Sequence, residues 1–285
     1  MTDLCIRSLH VYPLKGARSI DVDRADVLIG GLRHDRRFLL VDSAGRFVTQ
    51  REHPEMARVE VAVNEDDLPD GGHLAIAIEG VGRAQIPLFP TSTARRRVRI
   101  WDDDVDAIDI GGEGAALLSE HLRTSCSLVY MPPDTVRPVE QPYSRPGDRV
   151  GFADAYPVLV AAEASLDDLN RRLVADGHAP VGMDRFRPNI VVAGGKPYEE
   201  ERAPALRVGS LRLRTPKKCA RCQVVTVDQR TGATGKEPLR TLASYRSQRN
   251  ANKVYFAMNA IPDVAPDASI TIRVGEPVAY DVQNA

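Results

Sequence analysis

The sequence predicts a mainly β protein with a few helices, a β-rich α+β chain in two domains. Three observations carry that expectation. Short runs of strand composition recur along the chain with turn-forming residues between them. Helical periodicity is confined to three stretches, near 111–125, 165–177 and 238–245. At 285 residues the chain is long enough for two cores of ordinary size.

Composition excludes several classes. Acidic and basic side chains nearly cancel, 39 against 38, so the chain lacks the net field that draws nucleic acid or an anionic membrane surface. The four cysteines are unevenly spaced and make no disulfide framework, as expected in a reducing compartment. MTDLCIRSLH has neither the charged-then-apolar form of a secretion signal nor an Arg/Ser-rich presequence. No stretch is apolar over the length of a membrane span. The expectation is a soluble, cytoplasmic protein with no nucleic-acid or membrane partner.

The first domain is expected over residues 1–125. Ile6, Leu9 and Val11 suggest an opening strand ended by Pro13, which leaves Lys15 at a strand end. LRHDRRFLLVD closes in the apolar run 38–41, suited to a buried strand, and Ser43, Ala44 and Gly45 turn it into RFVTQR as a hairpin. His34, Asp35, Arg36 and Arg37 crowd at its base, and Thr49, Gln50 and Arg51 end its far arm. Any one of these is ordinarily a solvated loop charge; their crowding at strand ends is the signal. Further β runs occupy 59–63, 74–78, 85–88 and 98–101, with LPDGG among the connections. Asp102, Asp103 and Asp104 invite a metal assignment, but a hydrated turn between RVRIW and VDAIDI accounts for them and no EF-hand spacing follows. GGEGAALLSEHLRTS then reads as a short amphipathic helix.

The second domain is expected over 126–285. It opens with a strand at 126–130 and continues through 132–149, an irregular stretch rich in Pro and charge, of the length typical of functional covers or mobile links. VLVAAEASLDDLNRRLVADG is an apolar strand followed by a helix, with Ser165 and Asp168 resembling a capping box and Gly177 as the stop. In MDRFRPNIVVAGG, Arg185, Arg187 and Asn189 alternate with Phe186 and Ile190, so strand geometry would send the polar set to one face. EPLRTLASYR reads as a helix with Pro238 in its first turn, and the preceding glycines match neither phosphate-loop spacing. VYFAMNA and SITIRVGEPVAY close the domain as strands.

The chemistry centres on LRLRTPKKCARCQVVTVD, residues 211–228. Both flanks have β composition, while Pro216 and two lysines interrupt it, so Cys219 and Cys222 are expected at or near a loop tip. Lys217, Lys218 and Arg221 place positive charge beside the thiols, which favours thiolate, the form that attacks or binds metal. A zinc site wants a second cysteine pair, and Cys5 and Cys126 are isolated. A redox dithiol normally opens a helix after a strand, and buried structural cysteines are seldom ringed by three cations. What remains is a thiolate that holds or attacks something.

RFRPNIVV, CARCQVVTVDQRTG, EPLRTLASYR and IRVGEPV, in that order, closely resemble the MOSC domain, and YPLKG with LRHDRRFLLVD resembles its amino-terminal β-barrel partner. The likeness spans nearly the whole chain and is narrowest to the amidoxime-reducing component group and its bacterial relatives. It implies two β-barrel-like domains with a molybdenum cofactor, molybdopterin carrying Mo, bound between them. It also implies that Cys222 is the protein ligand to molybdenum. A soft thiolate suits that metal, and nearby cations suit an anionic pterin dithiolene with its phosphate. By the same resemblance Lys15, Arg36, Arg51, Arg187 and Asn189 bind the cofactor. Asp154 is the candidate for proton handling. Relatives carry small hydroxyl residues where this chain has Ala155 and Tyr156, so side-chain hydrogen bonds to the cofactor there would give way to backbone donors.

The implied reaction removes oxygen reductively from small N-hydroxylated substrates: amidoximes, hydroxylamines or N-hydroxylated bases. It consumes two electrons and two protons. No cysteine-rich ferredoxin module follows GEPVAY, so a separate electron-donor protein of ferredoxin, flavin or cytochrome type is expected. Two other readings stand beside it: sulfur transfer through a Cys222 persulfide, and a non-catalytic carrier of the cofactor.

Overall fold

The structure, a computed structural model, describes residues 3–65, 71–248 and 253–281. It is β-rich with three α-helices among the described residues, as expected. The largest sheet runs in the order Val278–Tyr280, Ala205–Val208, Leu211–Arg221, Lys253–Pro262, Val158–Ala162, Ile190–Ala193, Cys5–Val11, Ile20–Val22, with Ser247–Gln248 beside Lys253–Pro262. A second sheet joins Phe38–Val41, Ser127–Tyr130, Asp103–Asp109 and Arg95–Ile100. Two three-stranded sheets complete the set, one of them Glu60–Asn64, His73–Ile78 and Gly82–Pro87.

Hydrogen bonding crosses residue 125 in both directions. Cys5–Val11 pairs antiparallel with Ile190–Ala193, Ile270–Arg273 pairs with Arg24–Leu28, and Ser127–Tyr130 joins Phe38–Val41 and Asp103–Asp109. The two ends of the chain are therefore laced into each other's sheets.

Period two explains why VLVAA is apolar throughout. Val158 and Val160 enter one core cluster with Ile190, Leu206 and Leu213, while Ala161 and Leu159 face another with Leu169, Phe186, Val225, Leu242 and Phe256. A strand covered on both faces has no polar side to show. Phe186 and Phe256 stack in the second cluster with ring centroids 3.9 Å apart. The helices Glu163–Ala175 and Leu239–Arg246 cover that face.

Several local expectations change. The expected strand through Arg185, Arg187 and Asn189 is a 3-10 turn, Met183–Phe186, with Arg187 left-handed at φ 54° ahead of Pro188, and the strand starts only at Ile190. Proline at 188 bars the preceding residue from the helical region. Ser165 does not cap its helix, which starts at Glu163; its hydroxyl accepts from Tyr198 N and donates to Glu200, while Asp168 pairs with Arg171 and Arg172. The far arm of the Gly45 hairpin holds only isolated bridges, Val41 with Phe47 and Arg46 with Arg99. The LPDGG turn lies partly outside the described residues.

Glu200 is the most exposed liability of this core. Its carboxylate is 1 % exposed, with Ser165 as hydrogen-bond donor and no cation within ion-pair distance among the described residues. Burial pushes it up to about 7. A carboxyl raised above its unfolded value binds more protons folded than unfolded between about 4.5 and 7, so stability falls as pH rises through that window. Glu200→Gln should therefore raise the thermal midpoint at pH 8.5 and flatten its fall between pH 5 and 8.5, by roughly 3 kcal/mol at the alkaline end. A variant whose midpoint tracks the parent across that range would contradict the buried charge.

Candidate active site

The cysteine segment folds differently from a loop tip. Leu211–Arg221 is one long strand against Lys253–Pro262, with register shifts between Arg214 and Lys217 and between Lys218 and Ala220. The first shift accommodates Pro216, which has no N–H to donate to the ladder. The strand ends at Arg221, and the expected β run at 224–227 is a 3-10 turn, Gln223–Thr226, preceded by Cys222 in extended conformation. Cys222 thus stands where the strand breaks off, at a wall that both halves of the chain share.

That wall encloses a cavity of about 170 Å³, an order of magnitude beyond the ~10–15 Å³ that one water needs. Lys15, Arg36, Arg51, Asp154, Arg187, Asn189 and Cys222, every site residue expected from the sequence, border it, together with Cys219 and Arg221. Larger clefts lie elsewhere, including about 400 Å³ beside His10, Tyr12 and Arg18, but those border no cysteine. Cys5 and Cys126 do not border the cavity, and all four cysteines are free thiols. Among the described residues no group of three or more His, Cys, Asp or Glu could hold a metal ion.

The wall is cationic: five basic side chains, Lys15, Arg36, Arg51, Arg187 and Arg221, face one carboxylate, Asp154. Arg51 Nη2 lies 3.6 Å from Cys222 Sγ. Arg221 Nη1 lies 2.9 Å from Cys219 Sγ, yet burial pushes the Cys219 thiol up, with Arg221 pulling the other way. The sequence expectation of a cation-favoured thiolate therefore does not hold for Cys219, because desolvation outweighs the neighbouring guanidinium. Among the described residues the buried Nε of Arg221 has no hydrogen-bond partner, which marks a donor set with room for an acceptor.

Lys15 Nζ meets Asp154 Oδ1 at 2.5 Å. Burial lowers the lysine, with Asp154 opposing. The Asp154 side chain opens toward the cavity, 62 % exposed, but dense surroundings still push its carboxyl up; Lys15 and Arg51 more than offset this and hold it well below the usual carboxylate range. Asp154 is thus ionised, and the proton of the pair sits on Lys15.

A buried knot supports the cations. Arg36 donates to Asp35 Oδ2 at 2.6 Å, Asn189 Oδ1 at 3.0 Å and the Arg187 carbonyl at 3.2 Å. Asn189 spends its whole hydrogen-bonding capacity within the protein: Nδ2 donates to His10 O and Asp35 Oδ1, and Oδ1 accepts from Leu159 N and Arg36. It borders the cavity but orients Arg36. Tyr12 lies between two guanidiniums, 4.2 Å from Arg36 and 4.4 Å from Arg187, and donates to Pro188 O. Burial pushes Tyr12 up to about 12 and lowers Arg187 to about 10, so at neutral pH the phenol is intact and the guanidinium charged.

Several of these residues were not foreseen. Tyr12 stands one residue before the Pro13 that ends its strand, a position with no chemical signature. Arg137, from the irregular 132–149 stretch, is buried and donates to the carbonyls of Gly151, Ala153 and Asp154 and to Asp103 Oδ2 at 2.7 Å, fixing the segment that carries Asp154. Gln229, likewise unmarked in the sequence, exchanges amide hydrogen bonds of 3.1 and 3.0 Å with the expected strand-end residue Gln50 across the two halves. Arg36, Trp101 and Arg187, all at or beside the cavity, are left-handed at φ 48°, 55° and 54°, a conformation that costs a side-chain-bearing residue about 1–3 kcal/mol and gathers at functional sites.

Comparison with known proteins bears on this geometry. Residues 4–125 match the MOSC N-terminal beta barrel domain, and residues 147–279 match the MOSC domain. The chain is 32 % identical over 286 residues to mitochondrial amidoxime-reducing component 1 of Mus musculus, covering 96 % of this chain and 81 % of that protein. It is 29 % identical over 298 residues to mitochondrial amidoxime reducing component 2 of Bos taurus, covering 98 % and 83 %. Molybdenum cofactor sulfurase of Arabidopsis thaliana is 27 % identical over 298 residues, 98 % of this chain and 35 % of that longer protein.

Removing the Asn189 amide would strip partners from Asp35, Arg36 and Leu159 N at once. Asn189→Ala should destabilise the protein by roughly 3 kcal/mol in urea titration, since each buried group left bare costs about 1–3 kcal/mol. A loss within the scatter of surface substitutions would show that the knot is not structural.

Proposed function

Because the chain belongs to the MOSC-domain family that includes the amidoxime-reducing components, we propose that it is a molybdenum-cofactor-dependent oxidoreductase that reduces N-hydroxylated compounds. The observation that carries this is the placement of Cys222 on a cavity wall with five cations and one carboxylate. A soft sulfur ligand beside an excess of guanidinium and ammonium groups suits a metal held by an anionic sulfur-bearing, phosphate-bearing cofactor. The Nε of Arg221, without a partner among the described residues, fits the same group as a donor awaiting an acceptor.

Cys222 would hold the metal, and Lys15, Arg36, Arg51 and Arg187 would neutralise the pterin's phosphate and dithiolene. When bound, the cofactor supplies two-electron removal of oxygen from an N–OH group. The N–O bond breaks, and two electrons and two protons yield the N–H compound and water. A separate electron-donor protein of ferredoxin, flavin or cytochrome type provides the electrons. Lys15 Nζ, held 2.5 Å from Asp154, is the protonated member of an ion pair on this wall, and Asp154 keeps that proton at the cavity. Arg137 holds Asp154 in place through three backbone carbonyls. We place the protein in the cytoplasm, a reading that its free thiols support; no helix among the described residues is long and apolar enough to cross a membrane.

Sulfur transfer through a Cys222 persulfide is the second reading, favoured by the likeness to the plant sulfurase. The two differ in what leaves the thiol: sulfide released by reductant marks transfer, whereas N-hydroxy reduction with an artificial electron donor marks the reductase. Cofactor retained without turnover would mark a carrier.

Protein expressed in cells that make the cofactor should carry molybdenum at near-equal stoichiometry by elemental analysis. Cys222→Ala should abolish reduction and weaken metal retention, while Cys219→Ala keeps much of both; retained activity in the first variant rejects the ligand assignment. Arg36→Ala should lower occupancy, because losing a charged hydrogen bond to phosphate costs about 1.5–3 kcal/mol, and should also lower the melting temperature, because it leaves Asp35 a buried carboxylate without its cation. Activity per molybdenum in that variant should stay close to the parent's.

A further inference from the structure

Trp101 is the chain's single tryptophan and sits at the tip of the hairpin formed by Arg95–Ile100 and Asp103–Asp109. A bulky aromatic residue is a poor choice for this position, since its backbone is left-handed at φ 55° and its side chain is 44 % exposed. Glycine or asparagine fits such a turn better. Folding alone does not explain the indole.

Its surroundings do. Trp101 Nε1 donates to Asp154 Oδ1 at 3.4 Å, and Phe47 meets the indole edge-on with centroids 5.1 Å apart. The Arg51 guanidinium lies 4.5 Å from the ring centroid, and its Nη2 is 3.6 Å from Cys222 Sγ. The hairpin itself is fastened to the segment bearing Asp154 through Asp103 and Arg137. A flat, π-delocalised group therefore already bridges the indole and the thiol at the edge of the cavity. An amidoxime conjugated to an aromatic ring is flat and delocalised in the same way, and flat rings stack on an indole with little sequence of contacts to satisfy.

We propose that Trp101, with Arg51, is a specificity-determining residue that selects planar, π-conjugated N-hydroxylated substrates over aliphatic ones by stacking at the cavity edge. The inference rests on the reductase reading.

The lone tryptophan makes the test direct. Molybdenum-loaded protein is titrated with benzamidoxime and with acetamidoxime, reading both indole emission and turnover. Benzamidoxime should change the emission saturably at concentrations near its KM, and acetamidoxime should not. Trp101→Asn, which suits the left-handed backbone, should keep or raise the melting temperature while the kcat/KM ratio of benzamidoxime to acetamidoxime falls about tenfold, mainly through KM. Trp101→Phe should restore most of that ratio. If emission is unmoved by saturating benzamidoxime, or if Trp101→Asn lowers both substrates alike and melts early, the indole is structural and the proposal is overturned. Parent protein that reduces neither compound would instead reject the reductase reading, and emission would still report whether the aromatic amidoxime binds at Trp101.

Discussion

The site depends on one constraint: a guanidinium taken out of water must be paired. Arg36 is held by Asp35, whose carboxylate is also gripped by Tyr12 N and Asn189 Nδ2. Burial pushes that carboxyl up, and Arg36 with the two N–H donors pulls it back toward the ionised form. The knot draws on three separate segments: Tyr12 follows the first strand, Asp35 and Arg36 precede Phe38–Val41, and Asn189 precedes Ile190–Ala193. Satisfying the charge therefore fixes how Cys5–Val11 lies against the strand that Asn189 opens, and with it the cavity floor. Breaking such a pair leaves an uncompensated buried charge, which costs more than the pair contributes.

The same logic explains why the halves are laced together rather than merely docked. Cys5–Val11 sits in the large sheet, and its continuation places Lys15 opposite Asp154. Gln50 and Gln229 answer each other across the boundary, and Gln229 also accepts from Arg187. Gln223 donates to the Arg51 carbonyl, so the turn following Cys222 is tied to the arm that presents Arg51. A thiol and a guanidinium held 3.6 Å apart by separate segments need such ties, because their spacing is set by tertiary contacts alone.

Much of this was legible in the sequence, for reasons that differ by residue. The β-rich class followed from turn-bounded apolar runs, and 158–162 was readable as a buried strand because both its faces needed apolar cover. The seven expected site residues stood out as charged, amide or thiol groups at strand ends within motifs that resemble a family, and they border one cavity. Period-two reasoning failed at 185–189, where Pro188 and a left-handed Arg187 replace the strand, and at 216–219, where register shifts carry the strand past a proline. Tyr12, Trp101 and Arg137 were illegible, since an aromatic at a strand end and an arginine in an irregular stretch acquire meaning only from what tertiary folding brings against them.

The cavity's charge imbalance has a thermodynamic meaning of its own. Five cations beside one carboxylate repel each other in a partly desolvated wall, and three neighbouring residues hold left-handed backbones. Stabilising substitutions would be easy to imagine at each position, yet they would remove the features that suit the cavity to an anion. An anionic ligand that binds the folded chain and not the unfolded one relieves the repulsion and raises stability by mass action. The burden falls on the surrounding hydrocarbon: Leu9, Ile190, Phe186 and Phe256 are fully buried and carry no charge to satisfy. Repulsion is thus gathered where a bound group can relieve it, and the stacked cores on either side of the large sheet keep that arrangement from collapsing.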